Sequence, residues 1–238
     1  MFVPVHDINP LKRLPFQWAT VSLITLNVLA YLVLTLDLFA PANRYAVEFA
    51  LVPAEFLGRS DLPSQTVLWG YEPLPLPEAT TLLTYMFVHG GFFHLAGNMT
   101  FLWVFGDNVE DAMGHWRFLL FYMLCGVIAA LVHVAMAPDS ETPVVGASGA
   151  VAGIIGAYLM LHPNVRIWVL VLYRIPLRLT AAWLVGLWVA LQVYYAFFDK
   201  DHIVAWDAHL GGLVAGVILI LFMRRQGVAL FDRTITRV

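Results

Sequence analysis

Four side chains have the types and the spacing to do chemistry together. Ser148, in Gly146-Ala147-Ser148-Gly149, supplies a hydroxyl, and His209, in Ala208-His209-Leu210-Gly211-Gly212, supplies an imidazole. A hydroxyl becomes a nucleophile when a neighbouring base takes its proton. His94 and Asn98 stand at i and i+4, so a helix puts them on one face, and both can donate hydrogen bonds. Donors aimed at developing negative charge are what acyl transfer requires. Plainer readings stand beside these. A serine opening a helix can be a simple N-cap. A histidine inside a membrane can be a packed, hydrogen-bonded side chain. His89, His94 and Asn98 can also be read as metal ligands. No carboxylate or thiolate pattern accompanies them, however, and HExxH is absent, so a metal is not expected.

The elements that carry these residues follow from composition. Of 238 residues, 61% are apolar and 12% charged, against about a quarter charged in a soluble domain. Mean hydropathy is +0.77. These values exclude a disordered chain and an ordinary cytosolic enzyme, which could not cover so much apolar surface. A net charge of −3 without a basic stripe argues against nucleic-acid binding. The single cysteine, Cys125, excludes an internal disulfide and reads as packing.

Six apolar segments are expected to span a bilayer, at about residues 18–39, 92–109, 118–137, 147–161, 179–198 and 206–223. They are too long and continuous for barrel strands, so the fold class is an all-α integral membrane bundle forming one domain over 1–238. The first span follows Lys12 and Arg13, is longer than a signal-peptide core and lacks a cleavage site. The N-terminus is neither Arg-rich nor Ser-rich, which argues against a transit peptide. With both termini cytoplasmic, Lys12, Arg13, Arg117, Arg166, Arg174, Arg178, Arg224, Arg225, Arg233 and Arg237 lie inside. Arg44, Arg59 and Lys200 lie outside, as the positive-inside rule demands. An even number of spans agrees. The expected location is a bacterial cell (inner) membrane. The external loop 40–91 is too long to be a mere connector. Its Trp69, Tyr71 and Pro73–Pro77 run suggest that it lies partly in the interface.

Depth ties Ser148 to His209. The span opened by Ser148 ends near His162, roughly 21 Å away along a helix, in a hydrocarbon core about 30 Å thick. His209 to Arg224 gives roughly 22 Å by the same measure. The two side chains are therefore expected at one depth, roughly 10 Å below the outer face. Gly149 and Gly153 on one span, and Gly212 and Gly216 on another, form small-residue faces that let two backbones approach. Asp207 stands two residues before His209 and so faces elsewhere, giving a dyad and not a triad. Asp107, Glu110 and Asp111 read as a solvated turn or cap, and His133 in the third span has no evident role.

These residues together resemble the rhomboid intramembrane serine proteases, over roughly residues 80 to 216 and, by topology, the first span. The resemblance rests on His89-Gly90-Gly91-Phe92-Phe93-His94 with Asn98, Glu110 with Gly114 ahead of Arg117-Phe118, Gly146-Ala147-Ser148-Gly149, and Ala208-His209-Leu210-Gly211-Gly212 with Gly216. It implies a six-transmembrane-helix rhomboid-like bundle that needs no cofactor. Ser148 would be the nucleophile and His209 the general base. His94, Asn98 and the Ser148 amide would line the oxyanion hole. It also implies transmembrane protein substrates cleaved near the external end of their spans. They would reach the site laterally from the lipid bilayer, near spans two and five, with residues 199–205 as a cap. Two positions depart from the pattern. Thr80-Thr81 stands where many members carry Trp-Arg, and Ala152 stands where some place an aromatic against the imidazole, leaving open what orients His209. Beside the protease stand a catalytically inactive rhomboid-like binder, which would be expected to lack the serine or histidine, and a transporter, which would call for inverted repeats or intramembrane carboxylates.

Overall fold

The computed structural model describes residues 2–36, 47–60, 67, 76–171, 174–198 and 204–232. In chain order it contains β1 (Phe2–Asp7), α1 (Trp18–Thr35), α2 (Phe92–Met113), α3 (His115–Met136), α4 (Ser148–Leu161), β2 (Arg166–Val171), β3 (Ile175–Thr180), α5 (Ala181–Phe198) and α6 (Trp206–Met223). Among the described residues, three helices are long and apolar enough to cross a membrane: α1, α3 and α6. Ser148–Leu161 and Ala181–Tyr195 are apolar but shorter. Helix α2 has 22 residues and carries Asp107, Glu110 and Asp111 toward its end.

Helix α4 is the centre of the bundle. An apolar helix without a polar face belongs in a core or in lipid, and nearly all of α4 is buried against its neighbours. Its small residues set how close the neighbours come. A Cβ at Gly212 would collide with the Gly149 carbonyl oxygen, and one at Gly216 with that of Gly153. A Cβ at Gly153 would also lie 2.5 Å from the Cys125 Cβ, so the cysteine fills a packing niche on α3. The two glycine faces expected from the sequence therefore pack on each other, backbone against backbone.

The chain is not all-helical. Strands β1, β2 and β3 form an antiparallel sheet in that order, pairing Phe2 with Val171 and Arg166 with Thr180 at its margins. Ile167 and Val169 are buried while Arg166 and Trp168 are exposed, the alternation of a half-buried strand. The Arg178 guanidinium covers the Trp168 ring at 5.1 Å. Residues 179 and 180, assigned by sequence to the fifth span, belong to β3.

The acidic cluster at the end of α2 is not solvated. Glu110 is fully buried, and its carboxylate accepts the Ala19 and Thr20 amides at 2.9 and 2.8 Å and the Thr20 hydroxyl at 2.7 Å. The first amides of a helix lack intrahelical partners and carry its positive dipole end. Glu110 thus caps α1 from another helix, and His115 Nδ1 closes the group at 2.5 Å. Asp111 accepts the Lys12, Arg13 and Leu14 amides. Gly114, at φ +88, turns α2 into α3 under the Arg225 side chain.

Both terminal segments meet at this end of the bundle. Lys12 pairs with Asp232 at 2.9 Å, and the Phe231 and Asp232 amides bond the last carbonyls of α4. At the opposite end, residues 47–57 and 76–91 dock on the helices. Leu51 and Val144 exchange backbone hydrogen bonds, and the Thr84 hydroxyl donates to the Phe49 carbonyl. Trp69, Tyr71, Pro73–Pro75 and most of the 199–205 loop lie outside the described residues.

Candidate active site

Three elements converge beneath the end of the bundle that carries residues 85–91. The loop into α4 is stitched to that segment: the Gly146 amide donates to the Tyr85 carbonyl at 2.8 Å, and the Ala147 amide to His89 Nε2 at 3.5 Å, the long limit of such a bond. Gly146 has φ +114, a backbone shape that glycine adopts freely. The same residue leaves room for a ring, since a Cβ here would lie 2.6 Å from His94 Nε2 and 3.6 Å from Asn98 Nδ2. His94 and Asn98 thus meet at the turn that presents Ser148, as their i, i+4 spacing allows. Asn98 is buried, and its Nδ2 has no hydrogen-bond partner among the described residues. A buried amide donor is costly to leave unpaired, which makes it a ready donor for an arriving oxygen.

Ser148 is the first residue of α4, and its side chain does not cap that helix. His209 lies in the first turn of α6. Close packing of α4 on α6 brings His209 Nε2 to 2.8 Å from Ser148 Oγ, both groups being half-buried. Hydroxyl and imidazole are within the reach that nucleophile activation needs.

The other face of the imidazole is held by residues that the sequence reading passed over. His209 Nδ1 lies 2.7 Å from Gln192 Oε1 on α5. The Trp188 and Trp206 rings flank it, with centroids at 6.0 and 5.8 Å. Ala152, on α4, is buried and supplies no ring. Gln192 is visible in the sequence as a lone amide in an apolar run. Asp207 turns away from His209. It accepts from His133 Nδ1 at 2.8 Å and from the Ala208 amide at 2.8 Å, which gives His133 a structural partner. The His89 and His94 rings meet edge to face at 5.2 Å. Among the described residues no group of three His, Cys, Asp or Glu side chains is gathered as a metal site would need.

The sequence is similar to those of known proteins. The Rhomboid domain family matches residues 77–226. RHOMBOID-like protein 5 of Arabidopsis thaliana is 32% identical over 151 residues, 63% of this chain and 46% of that protein. Rhomboid protein 1, mitochondrial, of Saccharomyces cerevisiae is 31% identical over 141 residues, 56% of this chain and 38% of its own length. Rhomboid protease GluP of Bacillus subtilis is 32% identical over 136 residues, 57% of this chain and 24% of GluP. The chain spans less than half the length of each of these relatives. The family match covers more than half of the chain and includes every side chain of the site, so this membrane protein belongs to the rhomboid family.

Proposed function

We propose that the chain is an intramembrane serine endopeptidase that hydrolyses peptide bonds in or near transmembrane segments of other membrane proteins. One observation carries the reading: the 2.8 Å contact between Ser148 Oγ and His209 Nε2 on two helices packed too closely for a side chain between them. His209 takes the hydroxyl proton as Ser148 attacks the carbonyl carbon. Negative charge collects on the former carbonyl oxygen, where His94, Asn98 and the Ser148 amide donate. The C–N bond then breaks as His209 gives the proton to the leaving amine, and water releases the acyl group by the same route. No cofactor enters these steps.

Six crossings with both termini cytoplasmic fit this reading. The meeting of both terminal segments at one end of the bundle calls for an even number, and most basic residues fall on that side. The site then opens toward the outside. A bacterial cell membrane is the proposed location; mitochondrial and chloroplast relatives make an organelle the alternative that fractionation would separate. Purified protein in vesicles should cleave a reporter span, and Ser148→Ala should abolish cleavage. Equal turnover by that variant would sink the proposal. An intact reporter with both proteins would favour the inactive binder.

A further inference from the structure

We propose that Gln192 is the positioning residue of the site, a neutral third member that fixes which nitrogen of His209 faces Ser148. The inference rests on the protease reading above and goes beyond its two reacting groups. A neutral imidazole carries its proton on one nitrogen only, and only the bare nitrogen can act as a base. The Gln192 carbonyl oxygen can accept a hydrogen bond but cannot donate one. At 2.7 Å from Nδ1 it holds the ring proton there, which leaves the Nε2 lone pair facing the Ser148 hydroxyl at 2.8 Å.

The surroundings make this choice rigid. Gln192 is 4% exposed on an otherwise apolar helix, where an amide is costly unless it is used. Trp188, one turn earlier on α5, and Trp206, three residues before His209 on α6, confine the ring between them. Tyr195 stacks on Trp206 at 4.9 Å, so the two helices are tied on both sides of the amide. Among the described residues, the titratable groups close enough to act on His209 electrostatically are His94 from α2 and Asp207 from α6 itself. His133 of α3 engages Asp207 and keeps that carboxylate away from the ring. From α5 the ring meets an uncharged partner. Gln192 therefore supplies orientation without the counter-charge that a carboxylate would bring to the imidazolium.

Gln192→Met keeps the volume and removes the acceptor. It should lower kcat by about 10- to 100-fold, as loss of an orienting hydrogen bond typically does, while KM stays within about threefold. Gln192→Glu restores an acceptor and adds a charge. It should recover much of the rate and move the acidic limb of the kcat/KM profile to higher pH. A Gln192→Met enzyme within threefold of the parent kcat overturns the proposal, as does a Gln192→Glu enzyme whose acidic limb stays in place. If Gln192→Met fails to fold, the profile of Gln192→Glu decides alone. Ser148→Ala run in parallel separates the two ideas. A cleaving Ser148→Ala enzyme removes the protease reading, whereas an inert one beside a fully active Gln192→Met enzyme removes only the role of Gln192.

Discussion

The polar side chains inside the bundle fall into two groups. Some complete the backbone: Glu110 caps α1, and Asn27 bonds the Leu23 carbonyl one turn back. Others point at the turn before α4, and Asn98 is the clearest of these because its Nδ2 is buried and has no partner among the described residues. An oxygen that gains negative charge beside it collects a hydrogen bond that the resting protein does not make. Asn98→Ala should therefore lower kcat by about 10²-fold, the usual cost of one oxyanion donor, with little change in KM. A loss below threefold, measured on the same reporter, would remove Asn98 from the proposed oxyanion hole. The four proposed site residues stood out in the sequence by type and spacing, as polar side chains within apolar runs. Gln192 obeyed the same rule but lacked a recognisable spacing, and only the packing of α5 on α6 shows its use.

At the scale of elements, contact between α4 and α6 is the geometric condition for the chemistry. The glycine spacing announced it, and the carbonyls of Gly149 and Gly153 lie where the Cβ atoms of Gly212 and Gly216 would be. Gly216→Ala must push one helix off the other, which should cost about 3 kcal/mol or more and reduce activity with it. Gly97→Ala is the matched control. Nothing lies within 4 Å of its added methyl, and alanine suits a helix interior better by about 0.5 kcal/mol. Thermal unfolding of both variants in one detergent checks the pair; equal melting temperatures would contradict the packing account. Two elements were not legible. The sheet escaped a search for long apolar runs, because the alternation at Arg166–Val169 lasts four residues in a segment read as a loop. The burial of Glu110 and Asp111 escaped because their partners are backbone amides about 90 residues earlier in the chain, which no local pattern records.

Across the whole molecule, the two ends divide the labour. One holds the proposed site, and the other is a polar junction of both terminal segments, the sheet and the ends of α2 and α4. Among the titratable groups of that junction, Asp7 and His162 have opposite effects. Burial pushes the Asp7 carboxyl up from 3.8 to about 6, against the hydrogen bond from Tyr158 at 2.5 Å. The folded chain then holds this proton more tightly than the unfolded one, so its contribution to stability grows as pH falls from about 6 toward 4. Burial pushes His162 down from 6.5 to about 4, helped by the nearby Lys12. Here the unfolded chain takes the proton first, and stability falls over nearly the same range. The two slopes oppose each other in the parent. Asp7→Asn removes one of them, so relative to the parent that variant should lose on the order of 2 kcal/mol between pH 6.5 and 4. Melting curves at the two pH values check this, and parallel curves for parent and variant would contradict it.

The central claim is that Ser148 is a nucleophile activated by His209, and a serine-directed phosphonate tests it without knowledge of the substrate. The parent protein in vesicles should be labelled, with the adduct on Ser148, and labelling should vanish in both Ser148→Ala and His209→Ala. Persistent labelling of either variant, or an unlabelled but folded parent, would contradict the account.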